Sequence, residues 1–137
     1  MFDPTADLKA IFKILQADST LLTLLGWVPG DKGKYIQPQK YSTQTLANKI
    51  LFFTFMPFQS TRNDLCTRAV LQVEAHVPNQ TTSSVYGAWD ILKRVRQLLH
   101  QETVNGHEFM WFPGEGQVLS AKDWIGVSNR YRYTLVI

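Results

Sequence analysis

The chain has one cysteine, Cys66, in 137 residues. A single thiol cannot close an internal disulfide, so no disulfide framework holds the fold. Nothing adjacent in sequence would lower its pKa, so it reads as a bystander thiol and not a nucleophile. Charge is also scarce, at 18% of residues against a usual value of about 25%. That shortage leaves more uncharged surface than a lone monomer needs and fits a protein that covers part of itself with partners. The net charge is +3 and the pI near 9.1, yet Lys and Arg never form a run, whereas a dedicated nucleic-acid binder concentrates them. No apolar stretch approaches the roughly 20 residues of a membrane helix; the longest, at 50–56, has the length of a strand. The first residues carry Asp3, Asp7 and Asp18 and lack the basic region and small-residue cleavage site of a signal peptide. The expectation is one domain, made in a reducing cytoplasm, with no membrane partner.

The signatures of chemistry are missing too. There is no Gly-x-Ser-x-Gly elbow and no Gly-rich phosphate loop ending in Gly-Lys-Ser/Thr. The densest glycine cluster, Gly114-Glu115-Gly116, follows Pro113 and precedes strand-like residues, where a phosphate cradle needs a helix start. His76, His100 and His107 stand at no metal-ligand spacing. Glu108, Glu115 and Asp123 are scattered over loops, with no pair placed for acid–base work. These absences argue against an enzyme, and no cofactor or metal is expected.

What the chain does have is alternating pattern. Asp3 and Pro4 read as a helix cap and first position, followed by an apolar stripe at Leu8, Ile11, Phe12 and Leu15. Asp18 or Ser19 caps a second short helix filled by Leu21, Leu22, Leu24 and Leu25 and stopped by Gly26. Residues 27–49 show no periodicity and hold Pro29, Gly30, Gly33 and Pro38 among Lys32, Lys34 and Lys40. They read as a long loop, either functional, ordering on a partner, or a tethered surface excursion. The run at 50–56, ILFFTFM, reads as a strand covered on both faces and ended by Pro57, followed by a polar connection at 58–65. Residues 67–77 alternate, with Ala69, Leu71, Val73, Ala75 and Val77 on one side and Arg68, Gln72, Glu74 and His76 on the other. The two strands are expected to pair antiparallel. Ser83 or Ser84 caps a long helix to about His100, with Val85, Ala88, Leu92, Val95 and Leu99 as its buried stripe, widened by Trp89, Ile91 and Leu98. Asn105-Gly106 marks a turn, 108–112 a short strand, Pro113-Gly114 a turn, with 117–120 open to a further strand. Residues 127–137 close the chain as a strand, with Val127, Tyr131, Tyr133, Leu135 and Ile137 on one face and Ser128, Arg130, Arg132 and Thr134 on the other. The pattern predicts an α+β fold: a largely antiparallel β-sheet with helices packed on one face. Leu71, Val73, Trp89, Leu92, Val95, Tyr133 and Leu135 are expected in the core.

In this order the segments LKAIFKILQADSTLLTLLG (8–26), ILFFTFMP (50–57), LQVEAHVPNQTTSSVYGAWDILKRVRQLL (71–99) and RYRYTLVI (130–137) resemble the tail-terminator (tail-completion) proteins of long-tailed bacteriophages. The resemblance rests on pattern and order, with no invariant motif. It implies a ring of six copies on the end of the finished tail tube. The ring stops tube growth and offers a surface to the head connector. The implied partners are further copies of the chain, the tail-tube protein and the head connector protein, and the genome DNA passes through the ring without sequence-specific binding. The implied place is the tail neck of a virion made in the host cytoplasm.

Two other classes stand beside this one: a head-side connector or stopper of the same neck, and a small nucleic-acid-binding module. The second would gather its cations on one face, and Lys32, Lys34, Arg62, Arg94 and Arg130 come from separate segments. Alternation also turns the tyrosines of Arg130-Tyr131-Arg132-Tyr133 inward, away from the arginines, which argues against a base-stacking platform. Arg130 and Arg132 then read as surface or interface charges. With Lys32 and Lys34 they are the candidate contacts to a neighbouring subunit or the tube end.

Overall fold

The structure, a computed structural model, describes residues 4–26, 35–38, 49–59, 66–118 and 123–136. Helix α1 (Pro4–Gln16) and helix α2 (Ser19–Leu24) come first. Strands β1 (Ile36–Gln37), β2 (Ile50–Gln59) and β3 (Cys66–Pro78) follow. Helix α3 (Ser84–Leu99) leads into β4 (Thr103–Val104), β5 (His107–Val118) and β6 (Trp124–Val136). The six strands form one sheet in the order β1-β2-β3-β6-β5-β4, antiparallel throughout except for β1 on β2. The fold is α+β, as the pattern predicts.

The centre of this sheet is built from two long hairpins, β2–β3 and β5–β6, which join along β3 and β6. That central ladder runs in one unbroken register from Cys66 opposite Val136 to Pro78 opposite Trp124. Residues directly opposite each other point to the same face. Leu71, Val73, Ala75 and Val77 therefore share a face with Tyr131, Asn129, Val127 and Ile125. This inner face forms one hydrophobic cluster with Ile11 and Leu15 of α1, Leu21 and Leu25 around α2, and Ala88, Ile91, Leu92, Val95 and Leu99 of α3. Phe12 meets Phe53 with ring centroids 5.0 Å apart, and Phe109 stacks on Tyr133 at 4.6 Å. Of the expected core, Leu71, Val73, Leu92, Val95 and Tyr133 are buried. Trp89 is only half-buried, at the edge of the cluster, and the Leu135 side chain lies outside the described ones.

Several boundaries differ from the sequence expectation. Tyr35 and Ile36, inside the segment read as a loop, are buried in the core, and Ile36–Gln37 pairs parallel with Leu51 and Phe52. A strand of two residues has no period to read. Strand β2 runs past Pro57 to Gln59, with a register shift between Met56 and Gln59 that accommodates a residue without an N–H. The two short segments expected around Pro113-Gly114 are one strand, β5, with an irregularity between Phe112 and Gly116. Asn105 and Gly106, at φ 50° and 81°, make the tight turn of the β4–β5 hairpin. Apart from 35–38 and Lys49, the 27–49 segment and its expected ordering on a partner lie outside the described residues, as does 60–65.

The helix ends explain how α2 and α3 are fixed. Asp18 caps α2: its Oδ2 accepts from the Leu21 N–H at 2.8 Å. The same carboxylate takes a two-pronged bond from Arg94 of α3, Nε to Oδ2 at 2.9 Å and Nη2 to Oδ1 at 2.6 Å. Gly26 at φ 74° ends α2, as read. At the start of α3, Ser83 holds the cap position without a side-chain cap bond. The Ser84 hydroxyl instead accepts from the N–H groups of Gln80 and Thr81, 3.0 Å each, and so binds the preceding loop.

Two outcomes follow from these ends. Arg94 and the Leu21 N–H favour the ionised Asp18 and hold its pKa below the ordinary 3.8. A lowered folded pKa gives stability that is full above the unfolded value and is lost as pH falls through the folded one. Asp18→Ala should destabilise by about 1 kcal/mol near neutral pH, and in urea melts the difference from wild type should shrink only as pH falls from 3.8 through the lowered folded pKa. Gly87 sits inside α3, where an added Cβ would meet the end of the Lys49 side chain, Nζ at 3.4 Å and Cε at 3.8 Å. Gly87→Ala should raise stability by about 0.5–1 kcal/mol in the same melts.

Candidate functional site

The face of the sheet turned away from the helices carries the candidate residues. Register sets them in rows across the strands. One row is Ile50, His76 and Gly126; the next is Phe52, Glu74, Ser128 and Gly116. Beyond them lie Thr54, Gln72 and Arg130, then Val70, Arg132 and Met110. The first rows are closed: Ile50, Phe52 and His76 are each 2% exposed or less. His76 meets the Phe52 ring edge-on at 5.1 Å, and its Nε2 lies 3.3 Å from Glu74 Oε1. The sequence places His76 on the polar side of its strand; it is on that side but buried, because this half of the outer face is itself covered. The further rows open to solvent: Thr54 and Arg132 are exposed, and Gln72 and Arg130 half-buried.

Arg130 and Arg132 do share this face, opposite Tyr131 and Tyr133, as alternation predicts. Arg130 does not project freely. Its Nε donates to Gln72 Oε1 at 3.1 Å across the ladder, which ties the guanidinium to the neighbouring strand. Arg132, one row further, is exposed. The two candidates Lys32 and Lys34 lie outside the described residues, so the structure brings together only the arginine half of the expected set. Gln72 is the member that sequence reading missed. Its position on the polar side of β3 was legible, but its partner across the ladder, 58 residues away, was not.

A second polar cluster sits where α1 crosses the far end of the sheet. Asp7 is buried, and its Oδ1 accepts from Asn105 Nδ2 at 2.7 Å with His107 Nε2 at 3.8 Å. His107 lies 5.7 Å from Tyr133 between ring centroids. Burial, and then the negative Asp7, push the Tyr133 phenol above its ordinary range, so it stays protonated and offers no base. The cluster ties the N-terminal helix to the β4–β5 turn. Among the described residues no group of three or more His, Cys, Asp or Glu is placed to hold a metal, and no helix is long and apolar enough to cross a membrane.

No protein-family profile matches the chain, and no curated protein matches it in sequence. Its fold does match a solved structure, a chain from the virion of a native gene transfer agent particle. The two superpose with a TM-score of 0.66, over 97% of this chain and 96% of the other, at 12% sequence identity. The whole architecture is shared, end to end, with almost none of the side chains.

Spectrophotometric titration should separate Tyr133 from water-exposed phenols. Wild type and Tyr133→Phe should give superimposable tyrosinate curves until alkaline unfolding begins. A smaller amplitude in the variant before unfolding would place Tyr133 in water.

Proposed function

We propose that this chain is a structural subunit of a phage-type virion, six copies of which form the ring that caps the tail tube, stops its growth and joins the tail to the head connector. The observation that carries this reading is the end-to-end likeness of its fold to a virion chain. At 12% identity that likeness speaks for architecture, and the specific neck position rests on the segment order that resembles tail terminators. The outer face of the sheet suits the role. It has a closed half around Ile50, Phe52 and His76, and an open half where Arg130 is already oriented by Gln72 and Arg132 stands exposed. An arginine held in place loses less freedom on meeting a carboxylate and can meet it with two parallel bonds. In the ring these arginines face acidic groups of a neighbouring subunit or the tube end, with Lys32 and Lys34 contributing from the preceding segment. The genome DNA passes through without sequence-specific binding, and no cofactor takes part.

Light scattering on the purified chain, alone and with tail-tube protein, tests the reading. It expects a sixfold mass on the tube end and no further tube growth. A chain that binds only the head connector protein would instead be a head-side connector or stopper. The Arg130→Ala/Arg132→Ala double variant should keep its melting temperature within about 4 °C, since an exposed charge and one partly solvated hydrogen bond add little to stability. It should also need at least about tenfold more protein to assemble. Assembly at the wild-type concentration would leave both arginines as solvated charges.

A further inference from the structure

The chain that leaves α3 runs along the outer edge of β5, rung by rung. Thr103 of β4 pairs with Glu108. The backbone of the link makes the next rung. The Phe109 N–H donates to the Glu102 carbonyl at 3.0 Å, and the Gln101 N–H donates to the Phe109 carbonyl at 2.7 Å. Gln101 sits at φ 63°, where the chain turns from helix to strand. The third rung is made by a side chain: the Trp111 N–H donates to His100 Nδ1 at 3.0 Å. Two residues further along the edge comes Pro113, which has no N–H to present. The imidazole of His100 therefore holds the place that a carbonyl of a neighbouring strand would hold.

An imidazole nitrogen accepts a hydrogen bond only while it carries no proton. The bond to Trp111 thus requires the neutral ring with its hydrogen on Nε2. We propose that His100 is an acid-sensitive closure of this edge: neutral, it seals β5 at Trp111; protonated, it releases the Trp111 N–H and loosens the seam between α3 and β5. A proton on Nδ1 sets two donors against each other. The Arg96 guanidinium, 4.8 Å over the Trp111 ring, already places one positive charge beside this residue. The other charged groups on these elements are Glu102 and Glu108, both exposed, and Arg130 and Arg132 on the outer face of β6. The charged ring has another place to go. His100 is the C-cap of α3, and the last carbonyls of a helix attract a cation. One ring position for each protonation state makes the residue a switch. The backbone rungs at Glu108 and Phe109 do not titrate, so the opening stays local to Trp111. An open edge is a template for a further strand, and the proton controls whether this one is open. The device lies within one subunit and does not depend on the ring.

The test is amide hydrogen exchange of the full chain, read as protection factors that remove the intrinsic pH dependence, between about pH 8 and 5. Imidazole ¹⁵N shifts follow His100 in the same samples. At the upper pH the ring should be the Nε2–H tautomer and Trp111 protected. As His100 takes its proton, protection at Trp111 should fall about tenfold while Phe109 holds. Asn places its Oδ1 where His has Nδ1, accepts the same bond and does not titrate. His100→Asn should therefore keep Trp111 protected at every pH, and His100→Leu should leave it unprotected at every pH. An Nδ1–H tautomer at the upper pH, a ring that stays neutral throughout, protection of Trp111 that stays level while His100 titrates, or an equal fall in His100→Asn would overturn the proposal.

Discussion

The register of β3 against β6 is the constraint on which the rest of the molecule depends. Both strands alternate with period two, and the ladder between them holds one register over its whole length. Leu71 therefore meets Tyr131 and Ala75 meets Val127 on the inner face, while Gln72 meets Arg130 and Glu74 meets Ser128 on the outer one. A slip of a single residue would reverse one strand against its partner, carrying Arg130 and Arg132 under the helices and Tyr131 and Tyr133 into solvent. The helices amplify the constraint. The buried stripe of α3 and the Phe12–Phe53 contact of α1 fit only the face that holds Leu71, Val73 and Tyr131.

This constraint also explains how far the sequence could be read. The alternation at 67–77 and 127–137, the apolar stripes of α1 and α3, and the Asn105-Gly106 turn are local signals, and local patterns survive in the fold. What escaped reading depends on partners distant in the chain. Tyr35 and Ile36 become core and strand only because β2 passes beside them. Pro57 and Pro113 look like stops, yet each lies at a register irregularity where a strand continues without a donor. Asn129 interrupts an otherwise apolar alternation, and its burial opposite Val73 shows only in the fold. Trp89 falls at the edge of the buried stripe of α3 and is only half-buried.

The two faces of the sheet divide the work. The outer face changes from closed to open over four rows, from the buried Ile50, Phe52 and His76 to the half-buried Arg130 and the exposed Arg132. On the helix side, Asn129, Lys93 and Arg96 border a groove beside α3. A likeness of fold at 12% identity is intelligible on these terms. Alternation, stripe spacing and turn positions can persist while nearly every residue changes, because burial constrains character and volume more than identity.

The place of β6 in the sheet has a consequence for how the chain reaches its native state. It is the last strand in sequence, yet it lies between β3 and β5. The β2–β3 hairpin and α3 can form as soon as they are made, but β3 then presents an open edge until β6 arrives. Closing it means bringing together residues such as Gln72 and Arg130 against the entropy of the chain between them, and such non-local pairing is slow. During that interval the exposed edge of β3 is a template for the wrong strand, including one from a sister chain. The final strand thus acts as a completion step: the arginines that face outward come into position in the same event that seals the sheet, so an unfinished subunit does not yet display them.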